Sequence, residues 1–460
     1  VVKGDSLDLH FYLFEDEIAT ISEVSFQGNT KTHDDVVRRT LRTIPGNKYS
    51  RQAVMRTLRE LGTLGYFKKE KIRPNLNPNQ QERTVDIHYQ LEEATSTDNF
   101  EFSGGFGGRG IGIILSARVN FNNFSTQNIF DASAWSPLPS GDGQKLTLGV
   151  QVTGGGFQSY NFGFQEPWLM GYPTSFGING SYDILNYRGS SQKNELLSAS
   201  VSLGKQLKWP DDYFSVRTIL NYQLFDIAGS SRFLAEGTSN IVSLKGVLER
   251  NSLDNFISPN RGSKFSVSAE VAPPIARFSQ FYKLTSKYQH HTPLWGDLVL
   301  TNEVQYGYYG YLGPNQQSSF KKYLLGGTEI QQRQSFVNDN IDLRGFPGGN
   351  NGSISPYVDG QHVGGRVYSK YTLEMRYPAV NNKQVRLIPY AFMDAGNAFL
   401  NFNRFDPFEV KRAAGFGARV FMPILGLVDL SYGYRLDGIP GTSVDAGQWE
   451  FLFNIGAPFK

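Results

Sequence analysis

The sequence predicts a membrane all-β protein, an antiparallel transmembrane β-barrel of about 16 strands preceded by a small α+β domain of order β-α-α-β-β. Three observations carry that expectation. Apolar and polar residues alternate with period two along run after run from residue 98 to the C-terminus, with Ile111, Ile113, Leu115, Ala117, Val119 and Phe121 the first such series. Several runs reach ten residues or more, whereas strands of a soluble sandwich usually run about five or six, and a tilted membrane-crossing strand needs about 9–11. Helical periodicity is confined to the first 97 residues.

Composition fits this class and removes others. The chain has 460 residues with 49 Gly, 14% aromatic and only 19% charged residues, at a formal net charge of +3, so no field argues for nucleic acid as a partner. The absence of Cys removes disulfides, thiolate catalysis and Cys-ligated zinc. The mean hydropathy of −0.36 does not exclude a membrane barrel, whose strands show only one face to lipid. No run of 18 apolar residues supplies a transmembrane helix, and Val1 onward lacks the pattern of a signal peptide, so the chain reads as a mature segment.

Within residues 18–97, Val24 and Phe26 alternate towards the turn Gly28-Asn29. Thr32 is a candidate N-cap for a helix carrying Val36, Val37 and Leu41, and Ser50 for a second carrying Val54, Leu58 and Leu61, with Gly62 and Gly65 as stops. Val85, Ile87, Tyr89 and Leu91 then alternate with Thr84, Asp86, His88 and Gln90. Residues 6–13 (S-L-D-L-H-F-Y-L) match 84–91 (T-V-D-I-H-Y-Q-L), with acidic residues following both. Residues 1–17 are therefore expected to be the last strand of a preceding copy of the same unit.

From residue 98 onward, alternation recurs at 146–152, 197–203, 214–224, 265–271, 414–420, 428–434 and 449–459, and the many Phe and Tyr suit interfacial girdles. A segment of about 50 residues, 313–366, rich in Asn, Gly and Asp, interrupts the strands; unstructured stretches beyond about 15 residues are usually functional or disordered.

These residues carry a resemblance. The β-α-α-β-β unit, with E-V-S-F-Q-G-N at 23–29 and L-G-Y-F at 64–67, looks like a POTRA (polypeptide-transport-associated) domain. The barrel resembles those of the BamA-type outer-membrane insertases through E-R-N-S-L-D-N at 249–255, P-N-R-G at 259–262, L-R-G-F at 343–346, G-G-R at 364–366, L-E at 373–374, F-M-D-A-G-N at 392–397 and a terminal strand ending in aromatic residues. The order and spacing of the motifs make the resemblance specific, and it covers essentially the chain from Ile18 to Lys460. The family usually has Val where Leu343 stands, and one Lys follows Phe459 here.

The resemblance implies that the 313–366 loop folds back into the barrel lumen, where Arg344 of the motif Leu343, Arg344, Gly345 and Phe346 pairs with wall carboxylates. Alternation alone turns Lys370, Glu374 and Arg376 inward if Tyr371, Leu373, Met375 and Tyr377 face lipid, and it gives Asp394 the parity of Arg386. Glu374 and Asp394 are thus the expected partners, gripped by a guanidinium fork more firmly than Lys would manage.

The resemblance also implies a functional seam between the first and last strands. The first contains Phe100, Phe102, Gly104 and Gly105, followed by Gly107; the last contains Trp449, Phe451, Phe453, Gly456, Pro458 and Phe459. Glycine weakens a strand and proline cannot donate a ladder hydrogen bond, so this seam is expected to be weak. In the family an incoming strand pairs with the opened edge, and backbone pairing recognises strands without reading their side chains.

No catalytic motif survives inspection. Gly105-x-Gly107-x-x-Gly110 is followed by a strand pattern where a phosphate site needs a helix N-terminus; His290-His291 would point to opposite strand faces; no G-x-S-x-G elbow occurs. The chain is therefore expected to be no enzyme, with no cofactor and no metal. The leading expectation is assembly of β-barrel proteins in the bacterial outer membrane, with the POTRA unit in the periplasm. The partners so implied are unfolded barrel clients, accessory periplasmic or lipoprotein subunits and outer-membrane lipid. A related POTRA-barrel translocator of TamA-like or two-partner-secretion type, and a passive porin, are the alternatives.

Overall fold

The computed structural model describes residues 2–3, 6–7, 18–106, 112–135, 137–186, 192–229, 236–255, 258–327, 337–348, 353–359, 361–382, 385–422 and 426–455. The chain forms two compact units, residues 1–99 with 121–145, and 100–120 with 146–460.

In the first unit the strands Thr20–Gln27, Arg73–Asn79 and Thr84–Gln90 form one sheet with Thr84–Gln90 in the centre, parallel to the first and antiparallel to the second. The helices Asp34–Arg38 and Arg51–Leu64 supply Val37, Val54 and Leu61 to a core shared with Ile21, Ile87 and Tyr89. The Tyr89 hydroxyl lies 3.0 Å from the Thr43 hydroxyl, and burial pushes its pKa up, so the phenol stays neutral. Two details differ from expectation. Thr32 does not cap the first helix, because its N–H and hydroxyl donate to Glu93 (2.8 and 3.3 Å) and its hydroxyl accepts from Asn123 (2.9 Å); His33 takes the cap position without a side-chain bond. Gly62 does not stop the second helix, which runs through it to Leu64. The stop is Gly65, in the left-handed region at φ +75°. Ser50 does cap that helix, accepting from the Ala53 N–H at 3.4 Å.

In the second unit the sheet has the strand order of a closed barrel of 16 long antiparallel strands, from Asn99–Phe106 to Trp449–Ile455, with the two-residue strand Val380–Asn381 added beside Arg386–Phe399. Most strands are 10–15 residues long, among them Thr174–Asn186, Lys193–Gln206 and Phe214–Ala228. Their apolar alternates point outward: Phe162, Ile178, Leu197, Val201, Leu220, Leu244, Leu284, Leu373, Met375 and Met393 are all exposed. An apolar band of this extent is unstable against water and matches hydrocarbon, which identifies the barrel as membrane-spanning.

The apolar core of this unit lies inside the barrel. Wall residues Phe225, Phe281, Tyr309 and Tyr368 pack against Phe320, Tyr323, Leu325, Leu343, Phe346 and Ile354 from the segment between Leu298–Gly310 and Val367–Arg376. Within that segment Tyr323–Leu325 pairs in parallel with Asp339–Ile341, and bridges join Leu325 to Ile354 and Gly327 to Leu343.

Candidate functional site in the barrel lumen

The strand Val367–Arg376 turns Glu374 inward between exposed Leu373 and Met375, and Arg386–Phe399 turns Tyr390, Phe392 and Asp394 inward between exposed Pro389, Ala391 and Met393. The two strands pair, with Thr372 opposite Asp394 and Glu374 opposite Phe392, so both carboxylates rise from neighbouring wall positions. Leu343 and Phe346, each 0% exposed, hold the loop tip in the lumen core on either side of Arg344.

Arg344 meets the wall with its whole guanidinium. Nε and Nη2 donate to the two oxygens of Asp394 at 2.8 and 2.9 Å, Nη1 donates to Glu374 at 2.5 Å, and the Arg344 backbone N–H donates to Asp394 at 3.1 Å. The cation stands 3.9 Å from the centre of the Phe392 ring. A planar fork satisfies the bidentate carboxylate and the ring together, which the point charge of Lys does not.

Residues that the sequence reading passed over complete the network. Arg419 grips Glu374 from the other side at 2.6 and 2.8 Å and reaches Asp429 at 3.4 Å, and the Tyr390 hydroxyl donates to Asp429 at 2.5 Å. A ladder therefore runs Asp394, Arg344, Glu374, Arg419, Asp429, with opposite charges alternating. Arg419 lies between outward Ala418 and Val420 in the alternating 414–420 run, so its inward direction was readable; its partner was not. Further along the same loop, Asp342 meets the wall residue Lys370 (3.0 Å), which also contacts Glu303 (3.4 Å), and Asp339 pairs with the wall residue Lys283.

Gly345 explains how the tip comes so close to the wall. Its φ is +86°, and a Cβ there would stand 2.5 Å from the Ala413 Cβ, while a Cβ on Gly433 would stand 2.7 Å from the Gly345 Cα. Gly345→Ala adds about 1–3 kcal/mol of backbone strain before the clash is counted. It is expected to raise protease cleavage within 313–366 while the barrel remains folded; wild-type cleavage in that variant would show that the tip does not need this approach.

The seam residues are distributed as follows. Phe100 and Phe102 are exposed on the outer face of Asn99–Phe106, Phe102 at 72%, and Gly104 and Gly105 lie in the same strand. Trp449 and Phe451 are exposed on the outer face of Trp449–Ile455, Phe453 is half-buried, and the two strands are neighbours in the sheet order. Trp449 stacks on Tyr432 at 4.6 Å, tying the last strand to Gly426–Arg435. Gly107, Gly456, Pro458 and Phe459 lie outside the described residues. Among the described residues no cluster of His, Asp and Glu has the arrangement of a metal site; His291 bonds Thr301 at 2.8 Å and accepts from Arg376 at 3.2 Å.

Fold and site together define a membrane-spanning β-barrel with an arginine-anchored lumen loop, preceded by a POTRA domain. A model of the Omp85 superfamily domain matches residues 140–459, and one of POTRA, described as a surface antigen variable number repeat, matches 19–94. The chain belongs to the Omp85 superfamily. It is 23% identical to the outer membrane protein assembly factor BamA of Neisseria meningitidis serogroup B over 95% of this chain and 56% of that protein. It is also 23% identical to BamA of Nitratidesulfovibrio vulgaris over 97% of this chain and 52% of that protein. The chain thus spans about half the length of these curated relatives. Among solved structures, BamA of Haemophilus ducreyi lacking POTRA domains 1–3 matches with a TM-score of 0.65 at 20% identity, covering 95% of this chain and 84% of that one. CdiB of Acinetobacter baumannii matches at 0.57 and 12%, covering 95% and 74%.

Proposed function

We propose that this chain assembles β-barrel proteins in the bacterial outer membrane, with its POTRA unit in the periplasm, and that it does so through the seam between its first and last strands. The observation that carries the reading is the Arg344 ladder: a long loop drawn into the lumen and clamped by charge belongs to a barrel whose wall must be held in a defined state, whereas a passive pore needs its lumen free. The Omp85 membership and the assembly-factor names of relatives that match over 95% and 97% of the chain support it.

No covalent bond changes in this mechanism. An incoming client strand pairs its backbone with the Asn99–Phe106 edge, whose Gly104 and Gly105 hold the closing strand weakly, and side-chain identity is not read. Unfolded barrel precursors are the clients, accessory periplasmic or lipoprotein subunits the partners, and outer-membrane lipid the surrounding medium. Residues 1–17 are assigned to the end of a preceding POTRA unit, supported by the 6–13 and 84–91 match. The antiparallel pairing of Val2–Lys3 with Ser6–Leu7, like that of Arg73–Asn79 with Thr84–Gln90, supports it as well.

Depletion of the protein from its cell tests the reading. General loss of outer-membrane barrels is expected. Loss of one secreted cargo alone would favour the translocator, and loss of solute permeability alone a porin.

A further inference from the structure

The Arg344 ladder ends on strands that do not include the last one. Arg435, at the end of the strand Gly426–Arg435, is 4% exposed and absent from the ladder. Its guanidinium joins the loop tip to the stretch 445–450. Nη1 donates to the Gly345 carbonyl at 3.3 Å and to Glu450 of the last strand at 2.9 Å. Nη2 donates to the Gln448 side chain at 2.8 Å, and Nε to the Asp445 carbonyl at 3.2 Å. The segment 436–448, which leads into the last strand, is sealed to the same place by Ile439 and Val444, members of the apolar cluster that holds Leu343 and Phe346.

Resting on the seam reading, we infer that Arg435 is a positioning residue that couples the seating of the loop tip at Gly345 to the start of the strand Trp449–Ile455. One buried cation shares its donors between the tip carbonyl and the strand carboxylate. When the tip is seated, the guanidinium is fixed and Glu450 is held. When the tip leaves, Arg435 loses its loop partner, and the guanidinium that holds Glu450 is less firmly fixed. The side chain also explains why Glu450 stands inward, between exposed Trp449 and Phe451, with a buried cation to meet it.

Hydrogen exchange of the full chain in liposomes tests this without any client. Arg435→Met keeps length and removes every donor; it is expected to speed exchange across 445–453 by about tenfold, the equivalent of one charge-assisted bond lost, and to leave Val367–Arg376 unchanged. Arg344→Ala should also speed 445–453 when Arg435 is present, and add nothing further in the Arg435→Met background. Wild-type exchange at 445–453 in Arg344→Ala, or full additivity of the two variants, would overturn the coupling. Should Arg435→Met fail to insert, Glu450→Met removes only the strand contact. Faster exchange at 449–453 that Arg344→Ala does not increase further supports the assignment, and unchanged exchange or full additivity refutes it. A barrel that shows the coupling but still assembles clients with its seam locked would retain the role of Arg435 and discard the seam mechanism.

Discussion

Arg344→Ala is expected to release the lumen loop and remove most of the assembly activity, and the reason lies in what the substitution leaves behind. Among the described residues the hydrogen bonds to the Asp394 carboxylate come from Arg344, so its loss strands a buried charge, at a cost of about 3–5 kcal/mol. Glu374 suffers less, because Arg419 still grips both of its oxygens. Arg344→Lys should fall between the two: its ammonium keeps the charge, but it spans neither the bidentate Asp394 contact nor Asp394 and Glu374 together. Adding Asp394→Ala to Arg344→Ala should recover part of the lost stability by removing the stranded carboxylate, without recovering activity. The measurements are limited proteolysis within 313–366, thermal unfolding of the purified barrel, and client insertion into liposomes. Unchanged proteolysis and activity in Arg344→Ala would remove the clamp from the account.

A seam that opens must fail when it is locked. The chain has no Cys, so introduced pairs report without background. Phe100→Cys or Phe102→Cys combined with Phe451→Cys or Phe453→Cys samples the outer face of both neighbouring strands. Any pair that forms a disulfide is expected to abolish client insertion under oxidation and restore it fully on reduction, an all-or-none effect. The single-cysteine variants should stay active throughout. A locked barrel that still inserts clients would exclude strand addition at this seam and leave the periplasmic units as the working part.

Several elements were legible from local pattern. Period-two alternation marked the barrel strands and turned Glu374 and Asp394 to the same side as each other, because a strand has only two faces and the lipid side admits no carboxylate. Ser50 capping and the β-α-α-β-β order were readable for the same reason: they depend on neighbours in sequence. The errors came where distant groups intervened. Thr32 has the chemistry of an N-cap, yet Glu93 and Asn123, 61 and 91 residues away, take its hydrogen bonds. Gly62 has the composition of a stop, yet the helix continues because its packing outweighs the cost of one glycine, about 1 kcal/mol.

What the sequence determined alone is the class of object: a barrel with hydrocarbon outside, a POTRA unit before it, and an arginine loop long enough to return inward. Only the tertiary structure decided which charges meet. Parity states that Arg419, Asp429 and Arg435 face the lumen, but strand stagger and loop path select Glu374 for Arg419, and Gly345 with Glu450 for Arg435. Direction is a local property of the backbone, while partnership depends on the closure of some 16 strands around one folded loop.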